Sequence, residues 1–412
     1  MLTNCAPITL LQYLKENVTD LVDESANNLK LFVLSDEYNN GAEEKVVESF
    51  MDYTPKRFKD EFLARKHLIL IYQGAQIVIG MSTFEYAYCA NNNNSQLNWS
   101  RGYIQYVDTT GLFTPRQNQS HLTRSLVKSY LTYCKDVLNM GSVHLLATAK
   151  PAFLFAGSEF IEGKRALPAV KLINWWIGLI QDFAAKSEKC KVFVYSPAEE
   201  AEGSTRMKKR ISGFDGWTYG LPYASSLPCV DQVPLFEDDP KWRHFEATIL
   251  DDDELLEEIE KKSKKRPRII DEEVKNEQFN TVVTTNTVSV KEFFESIQIR
   301  PEFRSDPSCF FVLQFPKRIK DNISDDFETE KLKKSDFASF GIKMLSGLTF
   351  ESEANAKISS QKISGWLKLM AVPSVEIRRV EKDEKRGKEN VENQQIAVNS
   401  LQSLIKKKPL KQ

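Results

Sequence analysis

The sequence predicts an α/β fold, a central mixed β-sheet surrounded by helices. Two observations carry this. Strand-sized apolar runs alternate along the chain with segments whose apolar residues recur at helical spacing, in the order strand, helix, strand, helix, strand. The 412 residues are also 41% hydrophobic, with 25 Phe and 6 Trp, enough to bury the core that a layered fold needs.

The first strands are His67-Leu68-Ile69-Leu70-Ile71-Tyr72 and Gln76-Ile77-Val78-Ile79-Gly80-Met81, which flank Gln73-Gly74-Ala75 as a β-hairpin. The second strand continues through Thr83-Phe84-Glu85-Tyr86, and residues 91–95 form a polar loop. Residues 103–107 read as a strand ending at Asp108. Leu122, Leu126, Val127, Tyr130, Leu131, Cys134 and Leu138 then recur at helical spacing. A buried strand over 143–148 follows, then a helix over 170–183 with Leu172, Trp176, Leu179 and Phe183 on one stripe. Residues 192–195 and 310–315 are further strands.

This divides the chain into four parts: a core over 1–250, a charged insertion over 251–285, a second part of the same domain over 286–380, and a tail over 381–412. The insertion opens with Asp251-Asp252-Asp253-Glu254 and carries a basic run over 261–268. With few aromatics, it is expected to lack order. The tail ends in a short apolar patch before a basic cluster.

Charge is balanced, with 56 Lys plus Arg against 57 Asp plus Glu, so no global attraction to nucleic acid or membrane follows. The six cysteines are scattered without a C-x-x-C pair, which reads as free thiols in a reducing compartment. No secretory signal and no membrane span is expected. None of the four histidines stands at metal-ligand spacing from a second ligand, so no metal site is expected. No phosphate-binding loop, nucleophile elbow or dinucleotide fingerprint is present.

Three segments carry candidate chemistry. In the first, a strand ends at Asp108-Thr109-Thr110-Gly111, Arg116 follows, and a helix starts near Ser120. Free amides at a helix start and a forked Arg suit an anion such as pyrophosphate, although the same pattern fits an ordinary strand–loop–helix connection. In the second, the adjacent Trp175 and Trp176 diverge by about 100° on a helix, so one can pack in the core while the other lines a groove, although two structural tryptophans fit the same spacing. Just upstream, Gly163-Lys164-Arg165-Ala166-Leu167-Pro168 places basic residues either toward a phosphorylated ligand or in an exposed loop. In the third, Pro234-Leu235-Phe236-Glu237-Asp238-Asp239-Pro240-Lys241 sets paired carboxylates and a lysine in an apolar segment. Displaced pKa values there suit proton transfer, while helix capping is the plainer use of an Asp before Pro.

Tyr106-Val107-Asp108-Thr109-Thr110-Gly111-Leu112-Phe113-Thr114-Pro115-Arg116 resembles the cofactor strand and loop of the p300/CBP-like acetyltransferase fold. Leu172-Ile173-Asn174-Trp175-Trp176 resembles the helix that carries an aromatic catalytic residue there. With the third segment, the set is similar to the fungal histone H3 acetyltransferases of the Rtt109 type. The resemblance implies acetyl-CoA as co-substrate, no metal, and a nuclear role in replication-coupled nucleosome assembly and DNA repair. It implies cofactor contacts at Val107, Asp108, Thr109, Arg116, Gln117, Asn118, Gln119, Ser120, Ala152, Arg165, Ala166, Leu167 and Trp175. It assigns Asp239 as acid/base, Trp176 to the substrate-lysine tunnel, Asp108 to the catalytic set and Lys241 as a modified residue. Implied partners are histone H3–H4 and chaperones of the nucleosome-assembly (Vps75) and anti-silencing (Asf1) types, with no membrane and no direct nucleic-acid role.

The chain departs from that pattern in places. A short turn replaces a long loop before residue 143, a charged segment is inserted after Asp253, and Ser120 stands where a second basic residue is expected. A different class, a non-catalytic histone chaperone using the 251–254 acids, has no need of a lysine tunnel. A nucleic-acid binder using the 261–268 run is the third class, and that run is more simply an import signal or a linker.

Overall fold

The computed structural model describes residues 9–21, 29–36, 62–89, 97–197, 201–227, 229, 233, 234, 236, 241, 288–297, 303, 307–316 and 347–380. The charged insertion, the tail, the loop at 91–95 and Asp239 lie outside them.

Helix α1 (Leu10–Asn17) starts where the Thr9 side chain accepts from the Gln12 N–H. The strands that follow are β1 (Thr19–Leu21), β2 (Leu29–Ser35), β3 (Phe62–Gln73), β4 (Gln76–Cys89) and β5 (Leu97–Thr109). The expected hairpin is β3–β4, and Gly74 takes the positive φ of 59° at its tip. β5 begins earlier than the sequence suggested, because Asn98, Ser100, Arg101 and Gly102 interrupt the apolar pattern, yet this stretch pairs with the far half of β4.

A 3₁₀ turn (Arg116–Asn118) leads into α2 (Gln119–Thr132). The helical spacing through Leu138 ends in a π turn (Tyr133–Val137), which leaves Leu138 buried just past the helix. Next come β6 (Ser142–Ala147), α3 (Ala169–Ala184), β7 (Lys191–Tyr195), α4 (Ala201–Ile211) and β8 (Trp217–Tyr219). The chain continues through α5 (Val290–Ser296), β9 (Cys309–Gln314), α6 (Glu353–Leu369), β10 (Ser374–Glu376) and β11 (Arg378–Val380).

Nine strands form one mixed sheet in the order β10-β2-β3-β4-β5-β6-β9-β7-β8. Only β5–β6 and β7–β8 are parallel within it. Strand alternation sends one residue set to each face. Ile69, Ile71, Ile104, Val143, Leu145 and Phe311 meet α1, α2 and α3 in the main core. On the opposite face, Leu68, Leu70 and Tyr72 pack on Ile363 and Leu367 of α6, and Phe310 packs on Phe293 and Phe294 of α5.

The sheet interior also holds charge. Arg65 and Glu85 are register partners across β3–β4, and His67 is the register partner of both Ser35 and Thr83. Arg65 Nε donates to Glu85 Oε2 at 2.8 Å, and Arg65 Nη2 donates to the same oxygen. His67 Nε2 lies 3.1 Å from Glu85 Oε2, and its Nδ1 lies 2.6 Å from Ser35 Oγ. With the ring proton on Nε2 facing the carboxylate, Nδ1 accepts from the Ser35 hydroxyl.

Candidate active site

The parallel β5–β6 pair extends only over residues 101–104 against 142–145. Beyond it β5 runs on to Thr109 and β6 ends at Ala147, so the two strands part toward their carboxyl ends. Such a parting at the ends of neighbouring parallel strands is where open α/β sheets form a ligand crevice. Val107 packs against the main core, whereas Asp108, the partner of Gly80 in β4, turns to the other face.

Asp108 is buried and its carboxylate is fully engaged. Its Oδ2 accepts from the backbone N–H of Phe153, Leu154 and Phe155 at 2.8, 2.8 and 3.3 Å. Its Oδ1 accepts from the Thr109 N–H and from Lys164 Nζ, both at 2.8 Å. Lys164 Nζ also donates to Ser158 Oγ at 2.5 Å. The end of β5 is thereby tied to the loop that leaves β6.

Two further contacts shape the loop after β5. Gln73, at the end of β3, brackets Thr114: its Oε1 accepts from the Thr114 N–H at 2.8 Å and its Nε2 donates to the Thr114 carbonyl. Thr110 Oγ donates to the Ile77 carbonyl at 2.7 Å. Gly111 (φ 82°) and Gly163 then stack backbone on backbone. A Cβ on Gly111 would strike the Lys164 backbone, and one on Gly163 would strike the Gly111 carbonyl. The Arg116 side chain passes the Gly163 position, with Nε 3.1 Å from where that Cβ would sit.

At the start of α2, Arg116 and Ser120 are exposed, Gln119 is half-buried and Asn118 is buried. The Gln117 side chain lies outside the described residues. No side chain caps α2; its start is closed by the 3₁₀ turn, where the Asn118 and Gln119 N–H groups donate to the Pro115 and Arg116 carbonyls. Trp175 Nε1 donates to Ser120 Oγ at 3.2 Å, and the Arg124 guanidinium lies 5.8 Å from the Trp175 ring. So the half-buried Trp175 spans α3 to the first turns of α2, and Trp176, 6% exposed, is the indole that packs in the core. The two rings meet edge-on with centroids 5.0 Å apart. Ala152 is half-buried, while Arg165, Ala166 and Leu167 are exposed on the strand of chain that enters α3.

The residues of the third segment stand apart. Lys241 is buried, with Nζ 5.5 Å from the Phe236 ring centroid and 5.1 Å from that of Phe310. Phe236 stacks on Tyr103 at 4.6 Å and meets the His144 ring at 5.1 Å. These partners lie on the α5 face, opposite the face that holds Trp176. A small cavity beside Lys241 is lined by His144, Tyr103, Tyr223 and Phe310. Burial, and then the charges of Arg101 and Lys241, push the His144 pKa well below the usual histidine range.

One expectation needs correcting. Lys164 was grouped with Arg165 as a basic residue turned either to a phosphorylated ligand or to solvent. It is instead turned inward onto Asp108, because Gly163 lets its backbone lie against Gly111. Sequence reasoning also missed Gln73 and Ser158, whose roles come from contacts distant in the chain.

The profile of the histone acetyltransferase KAT11-type domain matches residues 134–364, more than half of the chain. The chain belongs to the KAT11-type histone acetyltransferase family. A curated relative, histone acetyltransferase RTT109 of Candida albicans, is 28% identical over 112 residues, which is 27% of this chain and 30% of that protein. The matched part thus spans under a third of that relative. Among solved structures, Rtt109 from Aspergillus fumigatus superposes with a TM-score of 0.59 at 16% identity, covering 89% of this chain and 99% of that one. The mixed sheet with helices on both faces is therefore the fold of that neighbour as well.

Proposed function

We propose that this chain transfers the acetyl group of acetyl-CoA to a lysine of histone H3, presented as H3–H4. The observation that carries this reading is the crevice where β5 and β6 part. The end of β5, the start of α2 and the segment entering α3 converge there, in a chain of the KAT11-type family.

In this reading the exposed Arg116 and Ser120, at the turn that opens α2, hold the pyrophosphate. No residue of β6 is in register with Val107 or Thr109, so this edge of β5 can hydrogen-bond the pantetheine arm. Ala152, Ala166, Leu167 and Trp175 supply apolar surface along it.

Acetyl transfer needs a neutral amine. A free lysine has a pKa of about 10.4, so near pH 7 only roughly one in a few thousand is unprotonated. The amine nitrogen attacks the thioester carbonyl, the C–S bond breaks, and the coenzyme leaves as a thiolate that takes up a proton. Asp239 accepts the amine proton, directly or through one water. This reading has Asp239, two residues before Lys241 in the chain, work from the same face. The substrate lysine then enters from the Phe236–Lys241 face, and its amine meets the thioester through the opening between β5 and β6. Trp176 forms an apolar wall on the far side.

The same reading makes the protein nuclear and working with nucleosome-assembly and anti-silencing chaperones, with residues 401–411 as a docking tail. It also makes Lys241 a site of acetylation. The test is acetylation of chaperone-bound H3–H4 by wild type and Asp239→Asn, with modified sites mapped by mass spectrometry. The reading expects H3 lysine acetylation by wild type and its loss in the variant. Equal turnover by both proteins removes Asp239 from the mechanism, and no acetylation by wild type removes the function.

A further inference from the structure

We infer that Lys164 and Asp108 act as the positioning pair of the cofactor crevice, and that Asp108 is an anchor and not a proton-transfer group. The inference rests on the acetyl-CoA reading above and deepens it.

A carboxylate offers about four lone-pair directions. Those of Asp108 are taken by the amides of Phe153, Leu154, Phe155 and Thr109 and by the Lys164 ammonium. The two side chains are 6% and 5% exposed, so water does not compete for them. A carboxylate held in this way has no oxygen left to receive a substrate proton.

What the pair does follows from which segments it joins. Asp108 sits between Val107 and Thr109, on the cofactor edge of β5. The amides it holds directly follow Ala152, and Lys164 directly precedes Arg165, Ala166 and Leu167. Both walls of the crevice therefore hang on one ion pair. Lys164 also reaches Ser158, which fixes the loop between them. With the cation gone, a buried carboxylate is left without its counter-charge, and the 152–167 loop must shift to let water reach it. Arg165 to Leu167 then lose their register with Val107 to Thr109.

The experiment compares wild type, Lys164→Met, Lys164→Arg, Asp108→Asn and the Lys164→Met/Asp108→Asn double variant. Steady-state kinetics are read with acetyl-CoA and chaperone-bound H3–H4, together with hydrogen exchange of the 153–155 amides. Lys164→Met is expected to raise KM for acetyl-CoA by about tenfold or more, with the histone KM little changed. It should also deprotect the 153–155 amides, and Lys164→Arg should recover part of both effects. The double variant should be clearly less impaired than the two single effects combined, as expected of partners in one contact, whereas full additivity would show that the two residues act independently and overturn the pairing. Asp108→Asn should lower activity yet keep the acid limb of the kcat pH profile. Loss of that limb makes Asp108 a base and overturns the inference, as does an unchanged acetyl-CoA KM in Lys164→Met. If wild type neither binds nor uses acetyl-CoA, the functional reading falls and this inference with it. Binding by wild type and Lys164→Met alike removes the inference alone.

Discussion

Arg65 and Glu85 face each other across β3 and β4, both fully buried, in a sheet whose other interior residues are mostly apolar. Two ions so placed depend on each other. Removing one leaves the other charged and desolvated, which typically costs about 3–5 kcal/mol, whereas replacing both by apolar residues is often neutral. Glu85→Ala is therefore expected to destabilise the fold by that amount, and Arg65→Met/Glu85→Leu by far less. Urea unfolding of the three proteins checks this; equal losses in single and double variants would contradict it.

Acid should lower the stability of the fold over two pH windows. Burial pushes the His67 pKa down, outweighing the upward pull of Glu85, and it lowers that of His144 further. Both rings are neutral when folded, while an unfolded histidine takes up a proton near its ordinary value of 6.5. Stability is thus lost as pH falls below 6.5. Burial also raises the Glu85 pKa, but Arg65 and His67 overturn this and bring it from 4.5 to about 2. Its contribution is complete above 4.5 and lost as pH falls toward 2. Melting temperatures of wild type and His144→Gln between about pH 7 and pH 5 test the first window. The variant should show a flatter slope, and parallel curves would contradict the assignment.

Gly163→Ala tests the stacked glycines. The new Cβ meets the Gly111 carbonyl, which is backbone and cannot swing aside. Overpacking of this kind typically costs about 1–3 kcal/mol. Here the loops should also separate, so the acetyl-CoA KM should rise more than the histone KM. Wild-type values for both would show that the loops are free to part.

Trp175→Phe removes the indole N–H that Ser120 accepts and reduces the surface under Arg124. A hydrogen bond of this kind contributes about 1 kcal/mol. Acetyl-CoA affinity by calorimetry should fall a few-fold with the melting temperature little changed. A large loss of stability with unchanged affinity would make Trp175 a packing residue alone.

The legible parts of the fold were those with strong period. The β3–β4 hairpin, β6, α3, β7 and β9 could be read because Ile, Val, Leu and Phe repeat on their buried faces. Helix α6 escaped because its buried face carries Ala356, Ser359 and Ser360 beside Ile363 and Leu367. Small residues there let the helix approach closely: Ser360 Oγ accepts from the Ile77 N–H at 3.0 Å and donates to the Ala356 carbonyl at 2.7 Å. Hydropathy alone cannot show such a face. Arg65 and Glu85 become recognisable as a buried pair only once β3 and β4 are set in register. Lys164 was visible as a basic residue, but its direction is set by Asp108, which is 56 residues away in the chain. The motifs around Asp108, Arg116 and Trp175 do converge, because strand β5 and helices α2 and α3 meet at one end of the sheet. Lys241, by contrast, is separated from Trp176 by the sheet itself, which spacing along the chain does not reveal.

The central claim is that acetyl-CoA lies where β5 and β6 part. Hydrogen-exchange mass spectrometry of the full chain, with and without saturating acetyl-CoA, tests it most directly. The account predicts added protection over residues 107–120 and 152–175. Protection confined to the Phe236–Lys241 face, or no change anywhere, would contradict it.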